Sequence, residues 1–287
     1  MTREVANEVA SRPLFLARFN LGWVPHAFSL EIRKVLSYRV DFWLNFGGTV
    51  AVQLAVAYFL WRAIFDANGV DTMGGFGFSA LMLYYVMVPL VDRMVRGQEM
   101  NFLSGEIYDG TLTRYLIYPI SVLGYKYVAH LSAAGLFLLQ LLLALGAFAL
   151  LVGLPPDRTL SPWSFAAGII AALSAGIMYF LLACALEMIA FWADNVWSIL
   201  LILRFAIHFL GGGLIPLSFF PEWFEAGSAY LPFVYMLGFP VRAFLGEIAP
   251  GELLFGLGVI LFWTSVFGTV ASVIWRRGLR QYTGVGI

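Results

Sequence analysis

The sequence predicts an all-α membrane protein of six transmembrane helices, and three observations carry that prediction. Hydrophobic residues make up 61% of the 287 residues and charged ones only 12%, about half the charged fraction of a soluble domain. Continuous apolar runs cover residues 42–65, 76–91, 127–152, 163–192, 196–217 and 253–275, and most reach the ~20 residues a helix needs to cross ~30 Å of hydrocarbon. The runs are unbroken rather than alternating, so helices, which satisfy their own backbone polar groups, are favoured over the ~10-residue strands of a barrel. Third, the basic residues are one-sided. Arg3, Arg12, Arg18, Arg33, Lys34 and Arg39 precede the first run, Arg93, Arg96, Arg114 and Lys126 flank the second loop, and Arg276, Arg277 and Arg280 follow the last run. The opposite loops hold only Arg62, Arg158 and Arg242 among seven acids, Asp66 to Glu252. The positive-inside rule then places both termini in the cytoplasm, and an even number of spans agrees.

The resulting organisation is a single transmembrane domain, 1–287. Residues 1–41 form a cytoplasmic tail and interfacial helix, 42–275 the six-helix bundle and 276–287 a cytoplasmic tail. The 17 basic and 17 acidic residues cancel, which leaves no footprint for nucleic acid. Cys184, the single cysteine, allows no internal disulfide and suits a small apolar core position. The N-terminal stretch carries two glutamates and no apolar core, so it is not a signal peptide; the first span serves as the insertion signal.

Taken in order, Phe28, Ile32, Val35, Leu36, Val40 and Trp43 recur at helical spacing before the first run. Glu31, Arg33, Lys34, Ser37 and Asp41 fall largely on the other side, and Pro25 sets the start. This is an amphipathic helix suited to the membrane interface. The first outer loop is short and glycine-rich. The second span is short too, and continues into the cytoplasm through Asp92–Arg96. Pro155-Pro156-Asp157 turns the chain outside. A tight inner turn at Asp194-Asn195 makes spans four and five antiparallel neighbours. Span five ends at Gly211-Gly212-Gly213, followed by four prolines, which loosens the helix end. Residues 231–246 are apolar but too short and proline-broken to cross, and form a re-entrant or interfacial hairpin on the outer face.

The inner loop between spans two and three carries the functional signal. Asp109 is a fair N-cap and Pro119 a stop for a short helix between them. Leu112, Tyr115 and Leu116 fall at i, i+3 and i+4 and give it one apolar face. A short helix in a cytoplasmic loop needs the membrane surface or a partner groove for that face. Here the chain resembles the membrane subunits of ABC-2 type exporters. The resemblance rests on Gly-x-Leu-x-Arg-x-Leu-x-x-Pro from Gly110 to Pro119, the interfacial helix before span one, and the Gly-x-Ile-Pro-Leu…Phe-Pro segment from Gly213 to Pro221. The tail Arg277-Gly278-Leu279-Arg280-Gln281-Tyr282 adds to it.

The resemblance implies that residues 110–119 are a coupling helix docking on a separate ABC ATPase subunit. It implies Leu112, Tyr115 and Leu116 as knobs, Glu106 and Arg114 as polar rim contacts, Gly110 and Pro119 as the motif's ends, residues 25–43 as a connecting helix and 231–246 as a re-entrant hairpin. A dimer with a second copy or a homologous permease would enclose the path, in a bacterial inner membrane. The chain lacks the Gly-x-x-x-x-Gly-Lys-Ser/Thr loop that cradles phosphates. Neither Lys34 nor Lys126 follows a glycine, so ATP and Mg are expected on the partner and no cofactor on this chain.

Inside the spans, Glu187 and Arg204 lie at similar depth on consecutive helices. Either charge facing lipid would cost roughly 2.5–3.5 kcal/mol, so the two are expected to pair, tying the helices together or touching cargo. His208, a turn beyond Arg204, is expected to be a hydrogen-bonded core residue. Asp92 and Arg93 are expected at the interface, and Arg62 snorkels beside Asp66. The three histidines are scattered and no nucleophile elbow occurs, so neither a catalytic nor a metal site is expected. The alternative to an ATP-driven exporter is a secondary transporter or channel without an ATPase partner. Such proteins often carry paired broken helices and midplane carboxylates, whereas here span five alone is interrupted and Glu187 is the one buried acid.

Overall fold

A computed structural model describes residues 21–97, 102–117 and 121–282. The interfacial segment is a helix, α1 (Val24–Ser37), entered through a 3-10 turn at Leu21–Trp23 with Pro25 in its first turn. It breaks at Tyr38, whose φ and ψ of −103° and 41° are not helical, before α2 (Arg39–Asn68) begins. The boundary thus falls earlier than the residue-43 limit drawn from periodicity. Gly69, in the left-handed region, ends α2, and Arg62 bonds Asp66 at 3.0 Å on its last turns.

The glycine-rich outer loop forms a small hairpin, β1 (Thr72–Met73) with β2 (Phe76–Gly77). α3 (Phe78–Arg96) then runs through the second span to Arg96. It is the central element: almost every residue from Ala80 to Val95 is buried, and it packs on α2, α6 and α7. The inner loop holds α4 (Phe102–Tyr108) and α5 (Thr113–Leu116). α6 (Val122–Leu151) and α7 (Pro162–Glu187) are the third and fourth spans. Ser161 and Ser164 form a reciprocal cap at the start of α7, which satisfies free N–H groups of its first turn.

The helix of α7 stops at Glu187 and tightens into a 3-10 turn, Met188–Phe191. α8 (Trp197–Leu210) follows. Its 14 residues span about 21 Å at 1.5 Å per residue, short of the ~30 Å hydrocarbon core. Five helices, α2, α3, α6, α7 and α12 (Pro250–Leu279), are long and apolar enough to cross a membrane, and the fifth run, 196–217, holds the shorter apolar helix α8. α8 touches both α7 and α10, so spans four and five are neighbours in space.

Gly212 closes the end of α8 with φ +86°, a conformation that suits glycine. Its neighbour Gly211 meets Gly238 backbone to backbone: a Cβ on Gly238 would lie 2.5 Å from the Gly211 oxygen. The hydroxyls of Tyr84 and Tyr85 donate to the carbonyls of Gly212 and Leu214 at 2.7 and 2.8 Å, and so tie α3 to the turn. Residues 217–246 form a 3-10 turn and three short helices, α9 (Glu222–Ser228), α10 (Pro232–Met236) and α11 (Gly238–Phe244). The last two cover the expected hairpin segment and are buried against α7 and α3.

Candidate functional site

Loop 102–117 meets two buried charges from neighbouring helices, Lys126 and Glu187. The Glu187 carboxylate, at the last helical turn of α7, accepts hydrogen bonds from the Leu103 and Ser104 N–H groups. A carboxylate at a helix N-terminus satisfies otherwise unpaired donors and complements the helix dipole. Behind α4 the chain turns through Gly110, at φ +71°. The Leu112 N–H returns to the Glu106 carbonyl at 2.9 Å.

Asp109 is not an N-cap. The helix after it, α5, begins only at Thr113, preceded by Leu112, and no side chain caps it. The apolar face of this loop also has a different destination from the expected one. Leu112 is fully buried and Leu116 nearly so, in a cluster with Leu103, Ile107, Met188, Phe191, Trp275 and Leu279. The 3-10 turn after α7 and the end of α12 supply the groove, so neither residue is available as a docking knob. Glu106 is likewise internal. It pairs with Lys126 of α6 at 2.7 Å, with the lysine side chain 4% exposed. The surface of the loop is instead Tyr108, Asp109, Arg114 and Ile117, the last 76% exposed. Pro119 lies outside the described residues.

Tyr115 is half-buried beside this pair: the Lys126 Nζ stands 5.0 Å from its ring centroid. Burial and the neighbouring Glu106 push its hydroxyl pKa up to about 12. Its ring is 6.1 Å from that of Tyr125. The Tyr125 hydroxyl donates to Glu31 of α1 at 2.7 Å, and Lys34 bonds the same carboxylate at 2.6 Å. The C-terminal segment closes the other side. The Tyr282 hydroxyl accepts from the Thr113 N–H at 3.3 Å and lies 3.2 Å from its Oγ1. Gly278 lets the end of α12 rest on Phe191, since a Cβ there would lie 2.0 Å from the ring. Thus α6, α7 and the end of α12 converge on one 16-residue loop, and α1 joins them through Tyr125 of α6.

Glu187 and Arg204 do not pair. The α7 helix ends at Glu187 and turns its carboxylate to α4, whereas Arg204 is exposed and has no ion pair among the described residues. A separate buried node was missed. Asp92, 4% exposed, is bonded by Arg96 through both carboxylate oxygens. It stands 3.6 Å from the Nε2 of His208 on α8, so it is a packed link between helices. Arg93 donates to Thr49 of α2 at 3.0 Å. His208 also meets the Arg204 carbonyl at 3.1 Å, in keeping with a hydrogen-bonded histidine. Cys184 is buried.

Lys126, Tyr125, Glu31 and Tyr282 are the members of the loop site that sequence reasoning passed over. The signal for Lys126 was its rarity: it is one of two lysines in the chain and stands at the start of an apolar run. The site has no nucleophile paired with a base, and no group of three or more potential metal ligands occurs among the described residues. Its chemistry is attachment: a buried charge pair and a carboxylate cap fasten the loop to the ends of α6 and α7.

A family model described as ABC-2 family transporter protein matches residues 51–286. The match covers the loop and the Tyr282 contact and begins after α1. No curated protein and no solved structure gives a match. The chain belongs to the ABC-2 family of transporter proteins.

Proposed function

We propose that this chain is the permease subunit of an ATP-driven exporter. Two such subunits, identical or homologous, enclose the path, and a separate ABC ATPase subunit binding ATP and Mg drives it. Both termini face the cytoplasm of a bacterial inner membrane, and α10–α11 form the outer re-entrant element. The observation that carries this reading is the attachment of loop 102–117. A partner pushing on its exposed tip moves α6 and α7 directly through the Lys126–Glu106 pair and the Glu187 cap. A loop serving only as a connection has no need of two buried charged anchors, which are costly unless well paired.

The docking surface is reassigned to Tyr108, Asp109, Arg114 and Ile117, with Tyr115 behind it. Leu112, Leu116 and Glu106 act by shaping the loop. Co-purification in mild detergent tests this. The double variant Arg114→Glu/Ile117→Asp is expected to fold normally and lose the ATPase subunit. Leu112→Asp, which buries a charge, is expected to destabilise the chain itself. A wild type that purifies without a nucleotide-binding partner removes the exporter reading in favour of a secondary transporter or channel.

A further inference from the structure

A second constellation lies at the opposite end of α3 and α12, far from the loop. A cavity of about 540 Å³ opens among the β1–β2 hairpin, the Gly212 turn, α9–α11 and the start of α12. That volume is in the range of pockets that take drug-sized ligands. Its walls are apolar and partly aromatic: Phe76, Leu217, Val234, Phe239 and Phe255.

Its charges form a chain. Arg158 meets Glu247 at 3.1 Å, Glu247 meets Arg242 at 3.3 Å, and Arg242 meets Glu252 at 3.1 Å. Arg158 is further held by the Gly75 carbonyl at 2.9 Å and lies over the Phe76 ring at 4.6 Å. Both guanidiniums are therefore engaged. Glu225, exposed on the same lining, has no ion pair among the described residues, so the lining carries one more carboxylate than it has cations. The lining hydroxyls point the same way. Those of Tyr84 and Tyr235 donate to backbone carbonyls at 2.7 and 2.6 Å, so neither O–H is free to donate to an anion.

An anionic headgroup would find no free cation here and would face three carboxylates. A cation finds the exposed Glu225 and the partly exposed Glu252 on a lining shared with aromatic rings, whose quadrupoles favour positive charge. We propose that this outer pocket binds an amphipathic organic cation, its charged centre held between Glu225 and Glu252 and its apolar body against Phe239 and Phe255. The site rests on the pocket alone and holds whether or not an ATPase drives the chain.

The test is equilibrium dialysis of the full chain in a neutral maltoside detergent, with protein-free micelles subtracted. The probes are tetraphenylphosphonium and tetraphenylborate, which share shape and differ in charge. Saturable binding of tetraphenylphosphonium at one site per chain is expected, about tenfold or more tighter than tetraphenylborate. Glu225→Gln/Glu252→Gln is expected to weaken it about threefold or more with unchanged helicity. Phe255→Ala, a half-exposed wall residue, is expected to do the same without disturbing the core. Equal retention of the two ions, no saturable binding, or binding indifferent to both variants overturns the proposal.

Discussion

Replacing Glu187 separates a cap on the loop from a tie between spans. Its Oε2 accepts two buried backbone N–H groups, Leu103 and Ser104. In Glu187→Ala both donors lose their partner in a site where Leu103 is 1% and Ser104 6% exposed. At about 1–3 kcal/mol for each unsatisfied buried group, the expected loss for the two is about 2–6 kcal/mol. Glu187→Gln keeps an oxygen that can take both bonds and forfeits only the charge assistance, about 1–2 kcal/mol. The loss is local, so native-state hydrogen exchange is the fitting assay. Amides of residues 103–108 are expected to exchange roughly 30- to 20,000-fold faster in Glu187→Ala, at about 1.4 kcal/mol per tenfold. Glu187→Gln should fall between it and the wild type, and Arg204→Gln should leave these amides unchanged. Unchanged exchange in a folded Glu187→Ala protein would refute the capping role. Matching, non-additive effects of the Glu187 and Arg204 variants would restore the pair between spans.

The same contacts give further expectations. Lys126→Met and Glu106→Gln each remove one partner of a buried ion pair, at a cost of about 3–5 kcal/mol, whereas the double variant should cost clearly less than the sum. Thermal melting of the purified protein reads this, and strict additivity would mean the pair does not couple. Gly278→Val forces the end of α12 off Phe191 at a cost of about 1–3 kcal/mol or more. It should also free Tyr282 from Thr113, detected as faster proteolysis of the C-terminal tail; a tail equally resistant in wild type and variant counts against that docking.

The spans were legible because lipid imposes a simple demand, long apolar runs, and residues 42–65 or 127–152 meet it without ambiguity. α1 was legible for the same kind of reason, a stripe of apolar residues at helical spacing. The loop was legible as a pattern but not as a contact. Leu112 and Leu116 form an apolar face, yet periodicity does not say what covers it. The cover comes from Met188–Phe191 and Trp275–Leu279, distant in sequence. The expected Glu187–Arg204 pair failed because its depth argument assumed an unbroken helix to residue 192. The 3-10 turn after Glu187 redirects the carboxylate, and no propensity in Glu-Met-Ile-Ala-Phe announces it. The tail motif was a resemblance in sequence. In the structure two of its residues have physical work: Gly278 for close approach to Phe191, Tyr282 for its bonds to Thr113.

The central claim is that a partner ATPase seats on the outer edge of loop 102–117 while the inner edge stays locked to the bundle. Cysteine accessibility tests it most directly, in a background where the buried Cys184 is replaced. Ile117→Cys is expected to react quickly with a maleimide in the permease alone, to be protected when the ATPase subunit is bound, and to crosslink to that subunit. Leu112→Cys is expected to stay unreactive in both states. A rapidly labelled Leu112→Cys, or an Ile117→Cys whose labelling is the same with and without the ATPase, would contradict the account.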